Sequence, residues 1–173
     1  MSLYVTTLTI VHVLISLVGI GAGFVMLFGM LRGQRLGQST TIFLWTTVLT
    51  SVTGFFFPVD RFLPSHAVGI ISLIVLPIAI VALYRRHLAG SWRWIFVVTA
   101  LLAQYLNVFV LVVQLFQKVP ALKAMAPTQT EPPFAVTQLV VLAAFVVLGV
   151  AAVIRFRQEP SDGVPASPST VRA

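Results

Sequence analysis

Two histidines are the residues of this chain whose chemistry is most suggestive of a function. His12 lies near the start of the first long apolar stretch, and His66 lies at the start of the third. A haem iron held by two imidazoles takes one axial nitrogen from each side, so two histidines at similar depth on facing helices predict a haem b site or a shared quinone. Structural alternatives stay open: His66 as an interfacial loop residue, and His12 as a buried imidazole bonded to a neighbouring hydroxyl or amide.

Uncharged polar residues accompany the histidines in the same half of the apolar stretches. They fall on shared helical faces and are predicted to line a polar cavity: Ser16, Thr50, Thr53, Gln104, Asn107, Gln114 and Gln138. Such side chains at membrane depth are costly unless paired, and they often mark function. Helix packing explains the same pattern, because small and polar residues allow close approach and bond across interfaces. Gly19 and Gly23 form a GxxxG pair that favours packing.

The absence of several motifs restricts the chemistry. The chain has no cysteine, which excludes disulfides, Cys-ligated zinc and Cys-ligated iron–sulfur clusters. It contains no Gly-rich phosphate loop, no GxSxG sequence, no HExxH sequence and no pair of intramembrane aspartates. No catalytic residue and no metal site are therefore predicted.

Five apolar stretches must position these residues. Of the 173 residues, 58% are hydrophobic and 9% are charged, whereas a soluble domain carries about a quarter charged residues. A hydrocarbon core of about 30 Å requires about 20 helical residues. The stretches cover residues 8–31, 41–59, 67–84, 94–116 and 134–154, and none contains Asp, Glu, Lys or Arg. The sequence predicts an all-α integral membrane bundle of five transmembrane helices over residues 1–157, followed by a disordered cytoplasmic tail at 158–173.

The distribution of basic residues predicts the orientation of the bundle. Seven Lys and Arg residues flank the stretches on one side and three on the other. The positive-inside rule places the first side in the cytoplasm, so the N-terminus is predicted outside and the C-terminus inside. This placement accounts for the net charge of +7, and nucleic acid is not a predicted partner.

Charged residues of the predicted outer loops are candidates for contacts outside the membrane. Asp60 and Arg61 are predicted to form a local ion pair or turn contact. Glu131 lies in the longest outer loop, where a pair with Lys118 or Arg61 would close the loop over the bundle. Such a loop would serve as a lid or as a surface for a partner.

Four sequence blocks resemble those of small multi-pass proteins of bacterial inner membranes. They are residues 50–58 (TSVTGFFFP), 66–69 (HAVG), 105–109 (YLNVF) and 126–134 (APTQTEPPF). The resemblance extends over most of the chain up to about Arg157. It implies a location in the bacterial inner membrane and carries no activity, cofactor or ligand.

The sequence favours a structural or accessory membrane protein that acts through helix and outer-loop contacts. Its expected partners are the lipid bilayer and other membrane proteins or copies of itself. The first alternative is a membrane redox protein that binds one haem b or a quinone near the outer face. The second alternative is a small-solute permease, which the absence of a charged residue within any stretch disfavours.

Overall fold

The structure is a helical bundle. The computed structural model describes residues 3–35, 37–57 and 64–156, and these residues form helices and no strand, which confirms the all-α prediction. The helices are α1 (Leu3–Leu31), α2 (Gly37–Gly54), α3 (Pro64–Ile80), α4 (Trp92–Lys118), α5 (Pro120–Met125) and α6 (Pro132–Arg155). A π-helical turn, Val81–Arg85, continues α3. The short α5 falls within a segment that the sequence predicted as loop.

Four helical segments of the described chain are long and apolar enough to cross a membrane. They are Leu3–Leu31, Ser65–Arg85, Trp92–Lys118 and Pro132–Arg155. The helix α2 is not among them, because its 18 residues include six threonines and two serines. These four helices support a membrane protein, whereas the fifth crossing and the orientation stay predictions. The predicted tail at 158–173 lies outside the described residues.

The helices surround a central space in a fixed order. Each of α1, α2, α3 and α4 packs against the next, and α4 also packs against α1, so these four helices form a ring. The helix α6 packs on α4 and α1 from outside the ring. We call the end with His12 and His66 the histidine end, and the opposite end, with Arg35 and Arg93, the arginine end. The helices α1 and α3, which carry the two histidines, occupy opposite corners of the ring.

The half of the bundle toward the arginine end is densely packed. Its largest fully buried apolar side chains are Met26, Leu27, Phe43, Leu44, Leu76, Leu88, Phe96 and Val97. The guanidinium of Arg93 donates from Nη1 to the carbonyl oxygens of Val153 (3.1 Å) and Phe156, which satisfies the end of α6. Besides this aliphatic and aromatic packing, this half holds a second, smaller cavity of about 210 Å³, whose lining includes Met30, Arg35, Thr40, His87 and Phe156.

Glycines of α1 allow close approach to two neighbouring helices. A Cβ added at Gly19 would lie 2.8 Å from Thr46 Oγ1 of α2. A Cβ at Gly23 would lie 2.1 Å from Gln104 Oε1 of α4. Gln104 is fully buried, and its Nε2 donates to the carbonyl oxygen of Ile20 at 2.9 Å. The GxxxG pair is therefore used for packing within the bundle.

The substitution Gly23→Ala is expected to destabilise the bundle. The new methyl group must displace the Gln104 amide, which then loses its bond to α1, at a cost of about 1–3 kcal/mol. Thermal denaturation in detergent measures the effect, and Gly21→Ala is the matched control because a Cβ there meets no atom within 4 Å. An equal melting temperature for the two variants would contradict the packing role assigned to Gly23.

Candidate functional site

The histidine end contains a cavity of about 580 Å³ between α1, α2, α3 and α4. It runs from Thr9 to Ile20 along α1 and from Asn107 to Lys118 along α4, which is roughly 16 Å at 1.5 Å per helical residue. Seven of the residues predicted from the sequence as site residues line it: His12, Ser16, Thr50, His66, Asn107, Gln114 and Lys118. The structure thus brings together residues from four helices that are far apart in the sequence.

His12 is held in the wall by two neighbours. Its Nδ1 lies 2.8 Å from Thr53 Oγ1 of α2, and its ring meets the ring of Phe57 edge-on at 5.2 Å. The Thr53 hydroxyl also contacts the carbonyl oxygen of Leu49 at 2.7 Å. These contacts fix the orientation of the imidazole, although Thr53 itself is not part of the cavity wall.

A ladder of small and polar residues joins α1 to α2 beside the cavity. Ser16 donates to the carbonyl oxygen of His12 at 2.6 Å and lies 3.4 Å from the Thr50 hydroxyl. The His12–Thr53 contact lies one turn nearer the histidine end, and the Gly19–Thr46 contact lies one turn farther from it. The polar and small residues that the sequence places on one face of each helix therefore face each other. The spacing of these residues in the sequence is therefore explained by one helix–helix contact.

His66 enters the cavity from the opposite corner. It lies in the first turn of α3, and its ring is 5.6 Å from that of Phe55. Ser65, Gly69 and Ser72 of the same helix also line the cavity. His12 and His66 thus share one cavity, as a ligand held between them would require.

The opposite wall belongs to α4. Asn107 donates from Nδ2 to Thr47 Oγ1 at 3.0 Å, while Gln114 and Lys118 lie toward the end of the helix. Lys118 is the last residue of α4, so its ammonium group lies at the mouth of the cavity. The wall of α4 therefore combines an amide near the floor with an amide and a cation near the mouth.

Besides Thr53, two further predicted cavity residues have other positions. Gln104 reaches across to the carbonyl oxygen of Ile20, and Gln138 donates to that of Phe109 at 3.2 Å. Both side chains are buried between helices, and each leaves its Oε1 without a hydrogen bond in the described part of the chain. The structure places these two amides between helices instead of in the wall, because a long amide in a membrane helix can reach the backbone of its neighbour.

Four hydroxyl-bearing residues of the wall were missed by sequence reasoning. They are Thr9, Ser51, Ser65 and Ser72. Ser65, Gly69 and Ser72 follow each other at i, i+4 and i+7, a spacing that places three small residues on one helical face. That stripe was the signal in the sequence that α3 leaves space beside it.

The loop before α6 packs away from the cavity. Gln129 donates to the carbonyl oxygen of Val113 at 2.9 Å, and Ala126 is buried against Val112 and Phe116. These α4 residues lie on the helical face opposite to the one that lines the cavity. The loop is therefore no lid for the cavity.

Glu131 is bonded within its own loop. Its carboxylate accepts hydrogen bonds from the Thr128 hydroxyl at 2.9 Å and from the backbone N–H groups of Thr128 and Thr130 at 3.1 Å. The expected pair with Lys118 is not formed, because these local donors satisfy the carboxylate without ordering a distant side chain. Asp60 and Arg61 lie outside the described residues.

The contribution of Glu131 to stability is expected to depend on pH. Loss of hydration raises the pKa of Glu131, but hydrogen bonds from its own backbone, Thr128 and Thr130 outweigh this and hold the pKa below 4.5. A group with a depressed pKa stabilises the fold fully above its ordinary pKa, and the effect is lost as pH falls through the folded value. At pH 7 the wild-type protein should have a higher melting temperature than Glu131→Gln, and in acid the two melting temperatures should converge. A constant difference down to pH 3 would contradict this.

Comparisons with known proteins do not identify the chain. No family model matches it, and no match is found among curated proteins or among solved structures. The resemblance to small inner-membrane proteins therefore stays a prediction based on the sequence blocks. In the described part of the chain, no three His, Cys, Asp or Glu side chains converge on a metal position. The cavity is the feature from which a function can be argued.

Proposed function

We propose that this chain is a multi-pass membrane protein that binds a small, largely apolar molecule of the quinone class in the histidine-end cavity. The observation that carries the proposal is the convergence of eleven polar residues from four helices, seven of them predicted from the sequence, on one cavity of about 580 Å³. Ligand cavities of proteins measure about 300–1,000 Å³ and combine apolar walls with a few polar groups. A six-membered ring with two oxygen atoms matches such a wall.

The distribution of polar and apolar groups supports an elongated amphipathic ligand. Val13, Leu17, Val110 and Leu111 supply apolar surface along the cavity. Polar groups lie at separate positions, with His12 on one corner and Lys118 at the mouth. A ligand with an apolar ring and oxygen atoms at its two ends can contact both kinds of surface.

The cavity favours ligand binding over a purely structural or accessory role. Residues that serve packing alone fill the space between helices, as Gly23 and Gln104 do. Around the cavity, by contrast, small residues such as Gly54 and Ser72 border a space that no side chain fills. The accessory role is the outcome if no ligand of any class binds.

The membrane and the orientation are part of the proposal. We take all five long helices as crossings, since the outward face of α2 carries the apolar side chains of Ile42, Trp45, Leu49 and Val52, and place the chain in a bacterial inner membrane. The described residues of the arginine end carry Arg32, Arg35, Arg85, Arg86, Arg93 and Arg155. The positive-inside rule favours the cytoplasm for that end, so the cavity opens on the opposite side. A permease is disfavoured, since the half toward the arginine end is packed with apolar side chains.

A larger side chain in the cavity is expected to weaken ligand binding. A Cβ at Gly54 meets only His12 Cε1, at 3.7 Å, so Gly54→Leu should fold and project into the cavity. In equilibrium dialysis, the wild-type protein should bind tetramethyl-1,4-benzoquinone, its hydroquinone or both. The dissociation constant of Gly54→Leu for the bound probe should be at least about tenfold higher, which corresponds to a loss of about 1.4 kcal/mol of binding free energy.

The same substitution elsewhere on the bundle controls for indirect effects. Gly21 is exposed on α1, and a Cβ there meets no atom within 4 Å. The variant Gly21→Leu should bind the probe like wild type. Failure of wild type to bind either probe, or equal binding by both leucine variants, would overturn the proposal.

Haem b is a second candidate, favoured by the two histidines that share the cavity from opposite corners of the ring. The contact of His12 Nδ1 with Thr53 would leave Nε2 to hold the haem iron, the usual arrangement of a ligating histidine. Haem would supply one-electron chemistry, and Lys118 is placed to meet a propionate.

An absorption spectrum separates the two candidates. If haem is the ligand, protein expressed with ample haem should show a Soret band, and α and β bands should sharpen on reduction with dithionite. His12→Ala and His66→Ala should each lose these bands, since each removes one axial ligand. A featureless spectrum from folded wild-type protein would exclude haem and leave the quinone proposal standing.

A further inference from the structure

We infer that the histidine-end cavity selects the reduced, hydrogen-bond-donating form of its ligand, a hydroquinone, over the oxidised quinone. The inference rests on the proposed function, because it concerns the same cavity. It specifies which oxidation state of the ligand the cavity wall binds more tightly. A hydroquinone has two hydroxyl groups that donate and accept hydrogen bonds, whereas the carbonyl oxygens of a quinone only accept. The donors and acceptors of the wall therefore decide between the two forms.

The contacts of His12 determine which of its nitrogens carries the proton. Thr53 Oγ1 lies 2.7 Å from the carbonyl oxygen of Leu49 and 2.8 Å from His12 Nδ1. A hydroxyl has one proton to donate, so both contacts are hydrogen bonds only if Thr53 donates to Leu49 and the imidazole donates from Nδ1. If the proton were on Nε2 instead, either the Thr53–Leu49 contact or the Thr53–His12 contact would bring two lone pairs together. The neutral imidazole therefore holds its proton on Nδ1.

The second nitrogen of His12 is left as an acceptor. His12 lines the cavity, and no hydrogen bond joins Nε2 to any residue that the structure describes. The bond to Thr53 and the edge contact with Phe57 hold the ring. Because the ring cannot exchange its nitrogens without losing the Thr53 bond, Nε2 needs a donor from the ligand.

Three of the four hydroxyl groups of the same wall have already donated their protons. Thr9, Ser16 and Ser51 all line the cavity. Each donates to the carbonyl oxygen four residues earlier in its own helix, at 2.7, 2.6 and 2.8 Å respectively. Such back-bonding is the usual state of a hydroxyl on a membrane helix, and it leaves only lone pairs for other partners. Besides these acceptors and His12 Nε2, the wall formed by α1 and α2 presents the Thr50 hydroxyl, which lies 3.4 Å from Ser16 Oγ.

Donors lie on the other side of the cavity, on α4. Lys118 has an ammonium group, and Asn107 and Gln114 have amide N–H groups. An oxygen atom of the ligand that faces α4 can accept from these groups in either oxidation state. Discrimination arises at His12, where a ligand hydroxyl donates to Nε2 and a carbonyl oxygen would meet the lone pair of that nitrogen.

Binding constants of three probes test the inference. They are tetramethyl-1,4-hydroquinone, the corresponding benzoquinone and the dimethyl ether of the hydroquinone, which has no donor. Equilibrium dialysis of the detergent-purified full chain under anaerobic conditions at pH 8 keeps the imidazole neutral and the hydroquinone reduced. The hydroquinone should bind about tenfold or more tightly than either acceptor-only probe, because a polar group of the wall is otherwise left unpaired.

Two substitutions assign the preference to His12. His12→Leu removes the acceptor and should make the three probes bind within about twofold of each other. Thr53→Val keeps the shape of the side chain but removes the hydroxyl that fixes the tautomer, so the preference should fall while binding persists. Gly21→Leu should retain the wild-type preference. If His12→Leu fails to fold, Thr53→Val alone carries the assignment.

A redox titration provides an independent readout. For the bound couple Q + 2e⁻ + 2H⁺ ⇌ QH₂, a tenfold tighter binding of QH₂ raises the midpoint potential by about 30 mV. Equal binding of the two forms, tighter binding of the quinone, or a preference unchanged in Thr53→Val would overturn the inference and leave the proposed function intact. Binding of neither form would instead overturn the proposed function itself, and the inference with it.

Discussion

The close contact between α1 and α2 is the constraint on which the histidine end depends. Gly19 lets the Thr46 hydroxyl approach the α1 backbone, and the next turns bring Ser16 beside Thr50 and His12 beside Thr53. A helix in a bilayer must satisfy its polar groups internally or with a neighbouring helix. Because the hydroxyls of Ser16, Thr46 and Thr53 also donate to carbonyl oxygens of their own helices, the contact joins the two helices while these donors stay paired.

The cavity follows from the same contact in combination with the small residues of α3. While α1 and α2 are joined by short side chains, Gly69 and Ser72 present little volume on the facing side of the ring. Apolar side chains gain little by collapsing inward in a membrane, since lipid is as apolar as the interior of the bundle. The larger space is therefore preserved at the histidine end, while buried side chains such as Phe43 and Leu76 occupy more of the space at the arginine end, where a cavity of about 210 Å³ remains.

Hydrogen-bond direction gives the cavity its chemical character. Hydroxyls, amides and histidines can each donate or accept a hydrogen bond, so residue types alone do not define which groups of a ligand the wall binds. The hydrogen bonds already made do define it at His12, because Thr53 accepts from Nδ1 and so leaves Nε2 as an acceptor. Thr53, which lies outside the wall, thus determines which nitrogen of His12 can accept a hydrogen bond from a ligand, as the hydrogen-bond partner of a metal-ligating histidine commonly does.

The sequence by itself determined the helical class, the approximate positions of the helices and most of the cavity wall. Runs of apolar residues define helices in a membrane, and spacing at three and four residues places polar side chains on one face. This reasoning predicted His12, Ser16 and Asn107 as neighbours of one cavity. It also assigned Gln104 and Gln138 to that wall, where they do not lie, and it joined Glu131 to Lys118.

Only the tertiary structure decided which face of each helix borders empty space and which meets another helix. Periodicity defines a face but not its neighbour, so it cannot tell a glutamine that bonds to a carbonyl oxygen of the next helix from one that lines a cavity. Ring order and hydrogen-bond direction depend on contacts between residues far apart in the chain, such as Thr53 with His12. Those contacts arise only when the helices pack, which is why the acceptor character of the cavity was not readable from the sequence.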